Sequence, residues 1–125
     1  MGSDSERRTR QSGGEEEAVV TPRTFKRTAA PQDLIDHYIY LVGVAGEEVA
    51  DRFLVRAEQS FADLAAQPEV GAPLVLRRPE LVGLRKWRVR DFEDVLIFYR
   101  PRPDGVSIVR VLHGAMDWWR LLGLV

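Results

Sequence analysis

Five side chains in the second half of the sequence are suited to chemistry on a phosphodiester: Lys86, Arg88, Arg100, Arg110 and His113. Attack by a ribose hydroxyl on its own phosphate, the route of RNA cleavage, needs three things. One group takes the hydroxyl proton, another protonates the leaving oxygen, and cations hold the charge that builds up between them. An imidazole and four cations supply the right types. Their spacing is less accommodating. Lys86 and Arg88 lie two apart and share a face of any strand, whereas Arg110 and His113 lie three apart and fall on opposite faces of a regular one. Each residue also has a plainer reading. His113 at a strand end serves as a hydrogen-bonded structural residue, and Arg100 and Arg110 pair with Asp91, Glu93 or Asp117 at the surface. Trp118, Trp119, Leu121 and Leu122 form a compact apolar cluster that either packs on the domain as a helical turn or offers a patch to a partner.

No other chemistry is spelled out. There is no glycine-rich phosphate loop, no nucleophile triad and no zinc-ligand spacing. The chain lacks cysteine and has only His37 and His113 as histidines, so no metal site and no cofactor are expected.

The elements that must position these groups follow from periodicity. Thr24–Thr28 (TFKRT) reads as a short first strand ending before Ala29-Ala30-Pro31. From Gln32 to about Val44, Leu34, Ile35, Tyr38, Ile39, Leu41 and Val42 recur at three-and-four spacing, predicting a helix entered through Pro31. Gly43 and Gly46 mark its end. A second helix runs from Glu47 to Ala66, with Val49, Ala50, Phe53, Leu54, Ala57, Phe61, Leu64 and Ala65 on one stripe. Acidic residues open it and Gln67-Pro68 closes it, so the two helices make an antiparallel hairpin. Glu69–Gly83 is punctuated by Gly and Pro and reads as a loop. Three strands follow, Leu84–Arg90, Val95–Arg100 and Val106–His113, joined by turns at Asp91–Asp94 and Pro101–Gly105. The order β-α-α-β-β-β predicts an α+β fold, a helix hairpin packed on a small, mainly antiparallel sheet.

A chain of 125 residues with 45% apolar and 30% charged residues suits one domain with a real core. No apolar run approaches a membrane span, the N-terminus lacks the apolar stretch of a signal peptide, and a reducing cytoplasm suits a cysteine-free chain. Residues 1–23 string together Ser, Gly, Arg and Glu and read as a disordered tail, leaving 24–125 as the domain. The net charge of −1 conceals a division. Lys26–Leu76 has four basic against eight acidic residues, and Arg77–Arg120 has ten against six. A basic face in the second half is expected, although the whole chain is less basic than a general nucleic-acid binder.

The stretch FLVRAEQSFADLAAQPEVGAP resembles the second helix and exit loop of ParE/RelE toxins. LRKWRVRDFEDVLIFYRPRPDGVSIVRVLHGAMDW resembles their sheet segment by segment, with Leu96-Ile97-Phe98-Tyr99-Arg100, Asp104-Gly105 and Arg110-Val111-Leu112-His113 in family order. The resemblance implies the toxin of a type II toxin–antitoxin module, a cognate antitoxin as partner and a toxin–antitoxin hetero-oligomer. RelE-like members cut mRNA on the ribosome, whereas ParE-like members poison DNA gyrase. Where RelE-like enzymes place an Arg and then a Tyr after the last strand, this chain reads Gly114-Ala115-Met116-Asp117-Trp118. Indole has no titratable proton, so the expectation is a ParE-like gyrase inhibitor that acts by binding. Its candidate contacts are Arg110, His113, Trp118, Trp119 and Leu122. A RelE-like mRNA endonuclease is the alternative, with a decayed relative that retains only antitoxin binding as a third.

Overall fold

A computed structural model describes residues 21–74, 82–114, 120 and 122 of the chain. Its order is β1 (Arg23–Lys26), α1 (Ala30–Ala45), α2 (Glu47–Ala66), β2 (Ala72–Pro73), β3 (Arg85–Val89), β4 (Phe92–Arg102) and β5 (Gly105–His113). The strands form one sheet in the order β1-β5-β4-β3-β2, and the two helices pack on one of its faces. The expected α+β arrangement is therefore the observed one.

Each helix boundary has a local cause. Pro31 sits in the first turn of α1, where its missing N–H costs nothing. The helix stops at Gly46, whose φ of 97° is costly for a residue with a Cβ. The Gly46 N–H reaches back to the carbonyls of Leu41 and Val42, and α2 starts on the next residue. Gly43 lies inside α1, not at its end. Helix α2 buries Ala50, Phe53, Ala57, Phe61, Leu64 and Ala65 of the apolar stripe read from its spacing, whereas Leu54 of that stripe is exposed.

Helix α2 also grips the β3–β4 turn. Ser60 Oγ accepts the Arg90 N–H at 2.8 Å, Arg90 pairs with Asp63, and Arg56 pairs with Asp91. These contacts hold the turn at Arg90–Asp91, so β4 begins at Phe92, three residues before the expected start at Val95.

Sheet pairing departs from expectation at both edges. Strand β1 pairs in parallel with β5, Arg23 opposite Gly105 and Lys26 opposite Ile108, which places Arg23 in the sheet and not in the tail. Ala72 and Pro73, expected in a loop, pair with Lys86 and Arg85 as a two-residue edge strand. Pro73 presents no N–H, which blunts that edge against further pairing.

The central strand β4 is buried on both sides, as its continuous apolar run requires. Val95, Ile97 and Tyr99 face the helices with Val106, Ile108 and Val111 of β5. Phe98 faces away with Leu84 and Leu112, and Leu74, Leu96, Val109 and Leu122 pack around that second cluster. Each fully buried large apolar side chain contributes about 1.5–3 kcal/mol.

Candidate functional site

The junction of α1 with β5 brings the most chemistry together. Among the described residues no strand lies on the outer side of β5 beyond Ile108, since β1 ends opposite that residue. Helix α1 fills the gap. Asp33, in its first turn and only 8% exposed, accepts the Val111 N–H at 2.9 Å through Oδ2. The carboxylate thus satisfies an edge amide that a neighbouring strand would otherwise take. Arg110 completes the arrangement with Nε to Oδ2 and Nη2 to Oδ1, both 2.8 Å. This two-pronged geometry is the strong form of the Arg–carboxylate pair. Asp33 holds the Arg110 guanidinium above its usual pKa, so Arg110 stays charged throughout the working range.

One turn further along α1, His37 lies between Phe53 and His113, its ring centroid 4.8 Å from the first and 5.9 Å from the second. Burial, and then the neighbouring His113, lower the His37 pKa below the ordinary imidazole value. Asp33 and His37, four apart on α1, therefore meet Arg110 and His113, three apart on β5. Strand β5 carries a bulge just before these residues. Phe98 opposes Arg110 but Tyr99 opposes Ile108, leaving Val109 as the extra residue in β5. The bulge precedes Arg110, and from there the register is regular. Arg110 opposes Phe98 and His113 opposes Val95, so the two leave β5 on opposite faces as expected, and the Arg110 side chain turns round the strand edge to Asp33. Both reach α1.

The other three candidates gather elsewhere. Lys86 opposes Phe98 and Arg88 opposes Leu96, so both lie on the sheet face turned away from the helices. Arg100 alternates with Phe98 onto the same face, and its Nε donates to the Val82 carbonyl at 3.2 Å. Lys86, Arg88 and Arg100 thus share one face, while the Arg110 guanidinium and His113 lie against α1. Among the described residues Arg110 pairs with Asp33 and Asp91 pairs with Arg56, while Asp117, the other acid expected near Arg110, lies outside the described residues. Leu122 packs on the Leu84–Phe98–Leu112 cluster, and Trp118, Trp119 and Leu121 lie outside the described residues.

Two groups escaped the sequence reading. Tyr99 is fully buried; its hydroxyl accepts the Gly71 N–H and donates to the Pro68 carbonyl, both at 2.8 Å. Burial raises its pKa. Arg85 binds the carbonyls of Glu69 and Gly71 and the Glu69 carboxylate. Together they fasten the segment after α2 to the sheet. Nothing local in LIFYR distinguishes Tyr99 from its apolar neighbours. Among the described residues no group of three or more His, Cys, Asp or Glu is placed to hold a metal ion, and no helix is long and apolar enough to cross a membrane.

A helix hairpin on one face of a five-stranded, mainly antiparallel sheet, with a blunted edge strand at one side and a carboxylate-capped edge at the other, defines a small two-layer α+β protein. A family model described as the ParE toxin of the type II toxin–antitoxin system parDE matches residues 26–118, and the chain belongs to that family. It is a ParE-type toxin of a type II toxin–antitoxin module. Among solved structures, the chromosomal ParDE system from P. aeruginosa is similar in fold, with a TM-score of 0.60 at 18% identity over 76% of this chain and 98% of that one. No curated protein matches the chain by sequence.

Proposed function

We propose that this toxin arrests growth by binding DNA gyrase, with no catalytic centre of its own, and that a cognate antitoxin neutralises it by covering the helix hairpin and a sheet edge. One observation carries the choice of binding over cleavage. The five groups that RNA cleavage would recruit are divided between two regions, and the cation nearest the only imidazole among them is already paired. Arg110 gives both prongs of its guanidinium to Asp33 on α1, while Lys86, Arg88 and Arg100 lie on the sheet face turned away from the helices. A catalytic set needs its members within hydrogen-bond reach of one reacting centre. The protein surface that meets gyrase is proposed to include His113 and the apolar cluster of Trp118, Trp119 and Leu122.

The alternative, a ribosome-dependent mRNA endonuclease, draws on the basic character of the open sheet face, where Lys86, Arg88 and Arg100 meet. Purified toxin added to gyrase-catalysed supercoiling, beside toxin added to ribosomes programmed with mRNA, separates the two. Loss of supercoiling with intact mRNA is expected. Codon-phased cuts with normal supercoiling would select the alternative.

A further inference from the structure

The only two histidines of the chain, far apart in sequence, meet in space. His37 on α1 and His113 at the end of β5 have ring centroids 5.9 Å apart, with their planes inclined by 31°. Composition alone argues against a metal site in a chain with two histidines and no cysteine. The fold nevertheless delivers both imidazoles to one place.

Their separation is one that a shared ion allows. A zinc-like ion binds an imidazole nitrogen at about 2.0–2.1 Å, which puts it about 3.2 Å from the ring centre. Two rings on one ion then stand about 5.2 Å apart, centre to centre, at a tetrahedral angle and about 6.4 Å apart when the ion lies in line between them. The observed 5.9 Å falls inside that window. Plain ring contact allows the same distance, about 4.5–7 Å, so the surroundings must decide.

Those surroundings favour a cation. The positive charge of Arg110 is taken up by Asp33 through two hydrogen bonds. Asp36, the exposed neighbour of His37 in sequence, is close enough to help hold the Arg110 guanidinium above its usual pKa. Asp33, Asp36 and Arg110 together leave one net negative charge beside the imidazole pair.

The two rings are also held in advance. One turn before His37, the Asp33 carboxylate fastens α1 to β5 through Arg110 and the Val111 N–H. Phe53 backs the His37 ring at 4.8 Å and Tyr40 flanks it at 5.5 Å. The imidazoles therefore have little freedom left to lose when an ion arrives. Both histidines are only partly buried, so an ion can reach them from solvent. Among the described residues no third His, Asp or Glu completes a ligand group, which leaves the remaining coordination positions to water. Neutral nitrogen donors with open positions suit Zn²⁺, Cu²⁺ or Ni²⁺, whereas Mg²⁺ and Ca²⁺ require oxygen ligands.

We propose that His37 and His113 form a two-imidazole site for a divalent transition-metal ion of the zinc, copper and nickel class, which pins α1 to β5. The site exists only in the folded chain, so the ion stabilises the fold in proportion to its occupancy. The inference is independent of how the toxin acts and of what neutralises it.

The test uses the full, untagged chain stripped of metal with EDTA, and Zn²⁺ alone as the probe. Calorimetric titration should show one ion per chain. Tm should rise with Zn²⁺ concentration and fall back when EDTA is added. Mg²⁺ at the same concentration should leave Tm unchanged. His37→Gln and His113→Gln should each weaken Zn²⁺ binding by at least about tenfold, since even groups that only orient a ligand commonly contribute that much. Each variant is first melted without metal, so that loss of the site is separated from loss of the fold. A second readout needs no variant. One equivalent of Cu²⁺ on the parent chain should show coupling to two imidazole nitrogens by electron paramagnetic resonance, a signature that two stacked structural histidines would not give. Absence of a Tm rise with Zn²⁺, an undiminished rise in a folded His37→Gln or His113→Gln chain, or coupling to a single imidazole would overturn the proposal. So would equal Zn²⁺ affinity in the urea-unfolded chain, because the histidines would then be binding separately.

Discussion

Asp33 and Arg110, 77 positions apart in sequence, are joined by two hydrogen bonds of 2.8 Å that clasp the first turn of α1 to the exposed edge of β5. The same carboxylate takes the Val111 N–H, so one side chain replaces both a neighbouring strand and a counter-ion. Breaking such a pair by removing one partner costs about 3–5 kcal/mol when both charges are buried. Here Arg110 keeps partial solvent access, with 22% of its side chain exposed against 7% for Asp33. Arg110→Ala is therefore expected to cost about 2–3 kcal/mol, below the range of a fully buried pair. Asp33→Ala should cost at least as much, because it also strands the Val111 amide. Urea denaturation of both single variants and the double variant checks the pair. The double variant should lose clearly less than the two singles combined, and strict additivity would mean that the residues do not act together.

Gly71 and Tyr99 form a second clasp. A Cβ on Gly71 would lie 2.5 Å from the Tyr99 hydroxyl and 2.9 Å from the Lys86 carbonyl, the latter fixed in the sheet. Gly71→Ala must therefore push apart the segment after α2 and strand β3. Tyr99→Phe keeps the ring but leaves the Gly71 amide and the Pro68 carbonyl without their shared partner, for a loss of about 1–3 kcal/mol. Thermal melts should show both variants folded but less stable. A Tyr99→Phe melting temperature equal to that of the parent chain would contradict the bonding described.

The fold was largely legible because its strongest signals are local. The α2 stripe, the VLIFYR core strand and the Asp-Gly turn each declare themselves within a few residues. The site was less legible because its partners are distant. Asp33 looks like an ordinary first-turn acid, and only the end of β1 opposite Ile108 turns it into an edge cap. The turn of the Arg110 side chain round the edge of β5 to Asp33 is equally silent in sequence. The two residues of β2 look like loop in the sequence because so short a strand has too few positions to show alternation.

His37 predicts a pH dependence. Burial and the adjacent His113 lower its folded pKa below the unfolded value of about 6.5. As pH falls through that value the unfolded chain takes up a proton that the folded chain resists, so stability falls with decreasing pH. The loss begins near the unfolded pKa and levels off below the folded one. The parent chain should melt at a lower temperature at pH 5.5 than at pH 7.5, and His37→Gln should flatten that part of the profile. An unchanged slope in the variant would assign the dependence to other groups.

The segment before β1 is expected to be dispensable for folding. Residues 2–17 contain no large apolar side chain to anchor them. Among the described residues sheet pairing begins at Arg23, outside the segment 1–21 to be deleted. The melting temperature should stay within experimental error, and a drop of several degrees would show that the segment packs on the domain.

The mode of action makes the sharpest prediction. If toxicity works by binding, His113→Ala should weaken it only partly, because a rim contact commonly contributes about 1 kcal/mol and large losses are confined to a few central anchors. Arg110→Ala should also retain toxicity in proportion to the folded protein that survives the loss of its Asp33 contact. Removing residues 118–125 should do more harm, since it takes away Trp118, Trp119 and Leu122 together. Leu122 packs on the Leu84–Phe98–Leu112 cluster, so the truncated chain needs its own melt before its growth phenotype is read. Were the toxin catalytic, the order would invert, since loss of one acid–base group costs about 100-fold or more. Lys86→Ala, Arg88→Ala and Arg100→Ala on the open sheet face would then be among the most damaging changes. Growth arrest on induction of each variant, with soluble protein quantified and ribosome-bound mRNA mapped for cuts, distinguishes the two orders. Codon-phased cleavage abolished by His113→Ala in a fully folded variant would overturn the binding mechanism.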